Sequence, residues 1–271
     1  MTIQAIEDNT AELLLRMGSR GGGAHRDDAK ARWTIGGSPI DYHNAVVAAD
    51  LTTGDADAVI AESAELMKAH GVPGTWHVGP SMRPGDLGER LLAAGFTDEG
   101  REPAMAVEIA QVTGQPPNGL EITRVHTEQD LAVWVDTLGR GFGEGVIEAE
   151  WVGGIYRQEG FDDPWRHYLA RLDGEPVGTA TVFLTPGVAG IYFVMTVPEA
   201  RRQGIGAAIT RYAVRAAADV AQYAVLESSA AGQSVYRRIG FRGWARSRST
   251  RSTDERPVSR GPSRGPRPWR C

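Results

Sequence analysis

Apolar and polar positions alternate along the chain in two successive rounds of similar order. In the first, residues 5–17 place Leu13, Leu14, Leu15 and Met17 at helical spacing, and "SRGGGAHRDDAKA" then breaks the pattern. "DYHNAVVAADLT" is strand-like. "ADAVIAESAELMKAHG" reads as a helix stopped by Gly71. "GTWHVGP" is a short strand, "PGDLGERLLAAGF" a short helix stopped by Gly95, and "REPAMAVEIAQV" a strand. "TGQPPNG" is the best linker in the sequence, with proline and glycine breaking any regular period.

The order then restarts. "LEITRV" predicts a strand, and "HTEQDLAVWVDTLGRGFG" a helix with Thr127 as N-cap and acidic residues in its first turn. Residues 143–165 read as loop or short helix, acidic and Trp-containing. "RHYLARLDGEPVGTATVFL" predicts a hairpin turning at Asp173-Gly174. "AGIYFVMTV" is apolar on both faces and therefore a central strand. "GIGAAITRYAVRAAADV" is a helix, "AQYAVLES" a strand and "GQSVYRRIG" a short helix. Each round ends a short helix in Gly-Phe, at Gly95-Phe96 and at Gly240-Phe241, which suggests an internal duplication.

Composition narrows the class. The chain has 271 residues, 41% hydrophobic and 23% charged, which suits two soluble globular domains. Its one cysteine, Cys271, leaves no disulfide framework and no cysteine-based metal site, so no metal is expected. No apolar run approaches a membrane span, and the N-terminus lacks a signal-peptide pattern. A cytoplasmic location without membrane partners is the expectation. The net charge of −5 conceals nine arginines against Asp254 and Glu255 after residue 241. This Arg/Ser/Pro/Gly tail is expected to be disordered over residues 249–271, and to be solvated rather than bound to nucleic acid.

The chemistry concentrates at "VPEARRQGIGAAI". A strand ends, Pro198 forbids a further ladder bond, and a helix begins near Gly204. A helix start offers unpaired N–H groups and partial positive charge. Glycine admits close approach of a ligand, and Arg201 and Arg202 add full charge. The combination suits a pyrophosphate. It is neither a P-loop, since no Gly-Lys-Ser/Thr follows, nor a dinucleotide fingerprint, since the third glycine is absent.

Arg-x-x-Gly-x-Gly after a central strand, followed by "LESSAAGQSVYRRIGF", resembles the GNAT superfamily of acyl-CoA-dependent N-acetyltransferases over roughly residues 120–241. The resemblance implies an α/β (α+β) fold: tandem GNAT-like units, each with a mixed, mostly antiparallel sheet flanked by helices. It implies a degenerate copy at 1–115 and a catalytic domain at 119–248. It further implies acetyl-CoA as acyl donor, held by backbone groups of Met195, Thr196 and Val197 along the pantetheine. Amides from Arg202 through Gln203, Gly204, Ile205 and Gly206 to Ala207 would hold the pyrophosphate, with Arg201 beside them. An N–H near Val197 would polarise the thioester carbonyl. Tyr236 stands where the family keeps its general acid. Ser229 replaces an asparagine that bonds cofactor or water.

The acceptor amine must lose a proton, so a base is needed. Glu227 is the first candidate. Glu148, Glu150, Asp162, Asp163 and His167 are others, and their acidic loop also suits a cationic acceptor. By the Gly-Phe register Leu91 takes the place of Tyr236 in the first half, and no Arg-x-x-Gly-x-Gly occurs there. The expected activity is transfer of acetyl to a primary amine by a monomer or homodimer. The alternative is a non-catalytic acyl-CoA or partner-binding pseudoenzyme. After Gly-Phe the sequence "RGWARSRSTRST" has little to bury. It predicts either a short closing strand ending near Arg248 or an incomplete sheet edge.

Overall fold

A computed structural model of the chain describes residues 3–252. The elements in order are α1 (Ile3–Arg20), β1 (Ala24–Asp27), β2 (Ala31–Ile35), β3 (Asn44–Ala49), α2 (Ala56–Ala69), β4 (Thr75–Val78), α3 (Leu87–Ala93) and β5 (Thr97–Glu108). After the linker come β6 (Leu120–Arg124), α4 (Glu128–Gly139), α5 (Val146–Glu159), β7 (Trp165–Leu172), β8 (Glu175–Thr185) and β9 (Gly187–Thr196). The described residues close with α6 (Ile205–Arg215), β10 (Ala221–Glu227), α7 (Gln233–Ile239) and β11 (Arg242–Arg251).

These elements form two compact units, each a mixed, mostly antiparallel sheet flanked by helices. The division does not fall at the linker. One unit takes residues 10–102 with 245–252, and the other residues 3–9 with 103–244. In the first, β1, β2 and β3 pair antiparallel, β3 pairs parallel with β4, and β4 pairs antiparallel with the end of β11. Its core gathers Ile35, Val46, Ile60, Met67, Trp76, Leu87, Leu91 and Phe96.

In the second unit, the latter part of β5 pairs antiparallel with β10, and β10 pairs parallel with β9. From β9 the antiparallel order continues through β8 and β7 to β6. Each unit therefore takes its last strand from the far end of the other half's sequence. Neighbouring residues of β7 point to opposite faces. Tyr168 meets Tyr212 of α6 at 5.5 Å between ring centroids. Trp165 and His167 instead meet Tyr156 of α5. Helix α6 thus covers one face of this sheet, and α4 and α5 the other.

Several expectations need correction. Residues 143–165 contain a 14-residue helix, α5. Its sequence carries Gly153 and Gly154, poor helix formers, but Gly153 lets α5 approach α4, since a Cβ there would lie 2.5 Å from Val135. The break after α1 contains two strands, β1 and β2. The closing strand passes Arg248 and runs to Arg251, so the expected tail boundary falls inside β11. It is held by ion pairs and a side-chain-to-backbone bond rather than by apolar burial, and the buried Thr250 hydroxyl itself has no hydrogen-bond partner among the described residues. Thr250 is buried with its carbonyl accepting from Thr75 Oγ1, Arg248 pairs with Asp98 and Arg251 with Asp41. The rest of the expected tail, from residue 253, lies outside the described residues.

Other local expectations hold. Thr127 Oγ1 accepts from the Asp130 amide at 3.1 Å, the N-cap bond read from the sequence. Asp173 and Gly174 both have positive φ, 50° and 89°, as the tight hairpin turn requires.

Candidate active site

The site is built around β9. Its parallel pairing with β10 ends at Gly190↔Val225, although β9 continues six residues further against β8. Between Thr179 and Thr181 the β8–β9 register slips, with Thr179 opposite Met195 and Thr181 opposite Tyr192. Two residues of β9 therefore oppose one of β8, and Phe193 takes φ +51°. This is a β-bulge, which bends a strand and raises its twist. Beyond Gly190 the strand leaves β10, which stays with β5. Among the described residues no backbone bond crosses the resulting opening.

The Val197 amide donates to the Val177 carbonyl at 2.9 Å, so it is committed to β8. Backbone groups alternate in direction along an antiparallel ladder, so the Thr196 amide points the other way, into the opening. The Thr196 carbonyl accepts from Arg201 Nε at 3.1 Å. Arg201 Nη2 also donates to the Gly141 carbonyl at 3.3 Å. Arg201 thus ties the α4–α5 loop to the end of β9, while Glu199 pairs with Arg140.

After a short turn at Pro198–Ala200 the chain exposes Arg201, Arg202, Gln203 and Gly204. Arg202 has φ +65° and Gly204 φ +81°, the left-handed conformation that turns successive amides to one side. Gly204 is the N-cap of α6, without any side-chain cap. Among the described residues the amides from Arg202 through Ala207 donate to no backbone or side-chain acceptor. Gly206 faces open space: a Cβ there would have only Thr196 Oγ1 within 4 Å, at 3.4 Å. Six unbonded N–H groups, a helix start and an exposed arginine form an anion cradle at the end of the opening.

Tyr236 is on α7 and is buried, its ring 5.9 Å from that of Phe241. A Cβ at Gly232 would stand 2.8 Å from Tyr236 Cε2 and 3.3 Å from both Ser228 Oγ and Ser229 Oγ. Only glycine leaves room at this position for the phenol ring and both serine hydroxyls, a role that the sequence reading missed. Ser229 Oγ accepts from the Gly232 amide at 3.1 Å, so its hydroxyl anchors the turn into α7.

The candidate bases separate clearly. Glu227 ends β10 on the same face as Val225, beside the opening, and is half-buried. Glu148 is buried in the first turn of α5, where its Oε2 accepts from the Glu144 amide at 3.1 Å and stabilises the helix start. Glu150 and Asp162 are exposed. Asp163 grips Arg166 with both oxygens at 2.8 Å, and that guanidinium holds its pKa below the usual carboxylate range.

His167 is fully buried among Trp134, Tyr156 and Trp165, with Nδ1 2.9 Å from Thr181 Oγ1. Burial, assisted by Arg124, lowers its pKa to about 3. A neutral ring so weakly basic is a packing residue, not a base for an ammonium ion. Among the described residues no His, Cys, Asp and Glu group could hold a metal, and no helix is long and apolar enough to cross a membrane.

Residues 134–241 match the model of the acetyltransferase (GNAT) family. No curated protein matches the chain. Among solved structures, it is similar to a GCN5-related N-acetyltransferase from Kribbella flavida, with 19% identity over 91% of this chain and 96% of that one and a TM-score of 0.71. A conserved protein of unknown function from Staphylococcus epidermidis gives a TM-score of 0.64 at 17% identity, covering 85% and 94% of the two chains. A tandem GNAT protein of the clavulanic acid biosynthesis pathway gives 0.57 at 16% identity, covering 82% and 77%.

Proposed function

Residues 134–241 carry a GNAT acetyltransferase domain, whose family transfers acyl groups from acyl-CoA, and on that premise we propose that the protein moves acetyl from acetyl-CoA to a primary amine. The observation that carries the reading is the run of unbonded amides from Arg202 to Ala207 at the Gly204-capped start of α6. In this reading they receive the pyrophosphate. The pantetheine runs along the free edge of β9 past Met195 and Thr196, which β10 leaves beyond Gly190.

The Thr196 N–H, directed into the opening, polarises the thioester carbonyl as Val197, already bonded, does not. The amine nitrogen attacks the carbonyl carbon, its proton passes to Glu227, and the C–S bond breaks. Tyr236 supplies the thiolate with a proton; a phenol pKa of about 10 keeps the group protonated at neutral pH, and since a thiol titrates at about 8.5 the transfer is slightly uphill and is completed when the phenolate regains a proton from water. The catalytic domain expected at 119–248 is joined here by residues 3–9 and the latter part of β5. The half expected at 1–115 is a degenerate copy.

The test is release of free thiol from acetyl-CoA against a panel of amines. Release that depends on both acetyl-CoA and amine supports the enzyme. Tight acetyl-CoA binding with no release against any amine favours the pseudoenzyme, a rival that nothing in the site geometry specifically supports.

A further inference from the structure

We propose that Tyr192, held by Asn9 of the N-terminal helix, is the second group that receives the acceptor amine, and that with Glu227 it restricts the acceptor to primary amines. The inference rests on the acetyl-transfer reading above and deepens it. Asn9 lies outside the matched family region and is fully buried. Its Nδ2 donates to the Phe183 carbonyl at 3.2 Å and to Thr185 Oγ1 at 2.8 Å. A carbonyl only accepts, so the amide nitrogen must face Phe183 and Oδ1 must face the other way. There Oδ1 meets the Tyr192 hydroxyl at 2.7 Å. Since Oδ1 only accepts, Tyr192 must donate. The phenol proton is committed, so toward any further partner the oxygen can only accept.

The backbone is shaped to permit this. Tyr192 folds its ring over Gly190, where a Cβ would lie 2.4 Å from Tyr192 Cε2 and 1.9 Å from Asn9 Oδ1. Any residue but glycine would expel both. Gly190 is also the last position at which β9 pairs with β10, opposite Val225. Tyr192 stands two residues beyond it on one arm of the opening, and Glu227 two residues beyond Val225 on the other. Side chains two apart on a strand share a face, and Val188 and Val225 share theirs in one cluster with Ile6 of α1. Tyr192 and Glu227 therefore flank the opening at the same level, on the face that α1 covers.

A phenol oxygen and a carboxylate are both acceptors. A neutral primary amine carries two N–H groups and one lone pair. It can donate one N–H to Tyr192 and one to Glu227 while its lone pair is left for the thioester carbon. Bond formation from nitrogen to carbon then releases the proton on the Glu227 side, and the C–S bond breaks with Tyr236 protonating sulfur. A secondary amine has one N–H, so one acceptor goes without its partner. Leaving a hydrogen-bonding group unmatched in this way costs on the order of 10- to 100-fold in rate.

The experiment follows thiol release from acetyl-CoA with benzylamine, tyramine and putrescine, each beside its N-methyl derivative. The wild-type chain should prefer the best primary amine over its N-methyl form by on the order of 10- to 100-fold in kcat/KM. Tyr192→Phe keeps the ring and removes the oxygen, and should bring the two forms to near parity with acetyl-CoA affinity unchanged. Asn9→Leu should do the same by freeing the phenol. A ratio of two amines on one preparation does not depend on the folded fraction, so a merely structural role for Asn9 would leave it unmoved. An unchanged ratio in Tyr192→Phe, no preference in the wild type, or no turnover of any primary amine by a chain that binds acetyl-CoA would overturn the proposal. Failure of the wild type to bind acetyl-CoA would overturn the acetyl-transfer reading itself.

Discussion

Between β3 and α2 the chain runs Asp50-Leu51-Thr52-Thr53-Gly54-Asp55, and between β9 and α6 it runs from Val197 through Arg201 and Arg202 to Gly204. Both segments join a strand to the helix that leads to its parallel partner. In the first unit the Asp55 and Ala56 amides donate to the Thr52 carbonyl, and Asp50, Asp55 and Asp57 place carboxylates about the helix start. Amides already bonded and surrounded by like charge repel an anion.

The strand edge differs as well. β3 pairs with β4 only at Ala45 and Val46, and its continuation is met by Arg83. The Arg83 amide donates to Ala49 and its carbonyl accepts from Leu51, at 2.9 and 3.2 Å. The first unit's own backbone occupies the edge that β9 leaves open. The same strand-to-helix geometry is thus closed by packing in one unit and left open in the other, and the difference lies in which backbone groups are already bonded.

The largest expected effect separates the two helix starts. Gly206→Val should weaken acetyl-CoA binding by at least about 100-fold, because close approach to several charge-assisted N–H bonds is lost. Gly54→Val in the other unit, where a Cβ meets only Thr52 Oγ1 at 3.9 Å, should leave affinity unchanged. Equal effects on a calorimetric titration would erase the distinction.

Next come the matched positions before each Gly-Phe. Tyr236→Phe should lower kcat by roughly 100-fold, the lower end of general acid catalysis, with the melting temperature nearly unaltered. Leu91 is fully buried in the first unit's core, so Leu91→Ala should cost about 2–5 kcal/mol of stability. Its surviving folded chains should turn over normally. A Tyr236→Phe chain with full kcat would reduce that residue to packing.

Each unit also buries one weakly basic histidine, and acid should find both. Burial lowers His77 to about 4 and His167 to about 3. Above pH 6.5 both are neutral folded or unfolded and contribute nothing. As pH falls below 6.5 the unfolded chain gains protons that the folded chain refuses, so stability declines until the folded values are reached. At pH 4.5 the His167 cost is on the order of 2–3 kcal/mol. His167→Phe should flatten the fall in melting temperature between pH 6.5 and 4.5, and a slope equal to wild type would contradict this.

The smallest effect concerns the exchanged strand. A chain ending after Ser252 should melt like the whole, because the remaining residues are dominated by Arg, Ser, Pro and Gly. A chain ending after Arg248 loses the Thr75–Thr250 bond and the Asp41–Arg251 pair, and should melt a few degrees lower in the unit that holds β4. Identical melting of the two would show that β11 contributes nothing past Arg248.

Much of this was legible in the sequence where local chemistry decides the outcome. Thr127 announced its cap, Asp173-Gly174 its turn, and the Arg/Gly run its helix start, since each depends on residues within one turn. The exchange of strands was not legible. β5 pairs with β10 across 115 or more residues and β11 with β4 across 170 or more, and β11 is held by ion pairs of Arg251 with Asp41 and Arg248 with Asp98 and by a bond from Thr75 to its backbone instead of by an apolar stripe. α5 was hidden by its paired glycines. Asn9 and Tyr192 were missed because their meaning lies in one hydrogen bond across 183 positions, which no spacing reveals. His167 looked like a base from its residue type, and only burial shows otherwise.

Titration calorimetry of the whole chain with acetyl-CoA tests the central contrast most directly. One site per chain, lost in Gly206→Val and retained in Gly54→Val, is the predicted result. Two sites, or a single site that survives Gly206→Val, would contradict it.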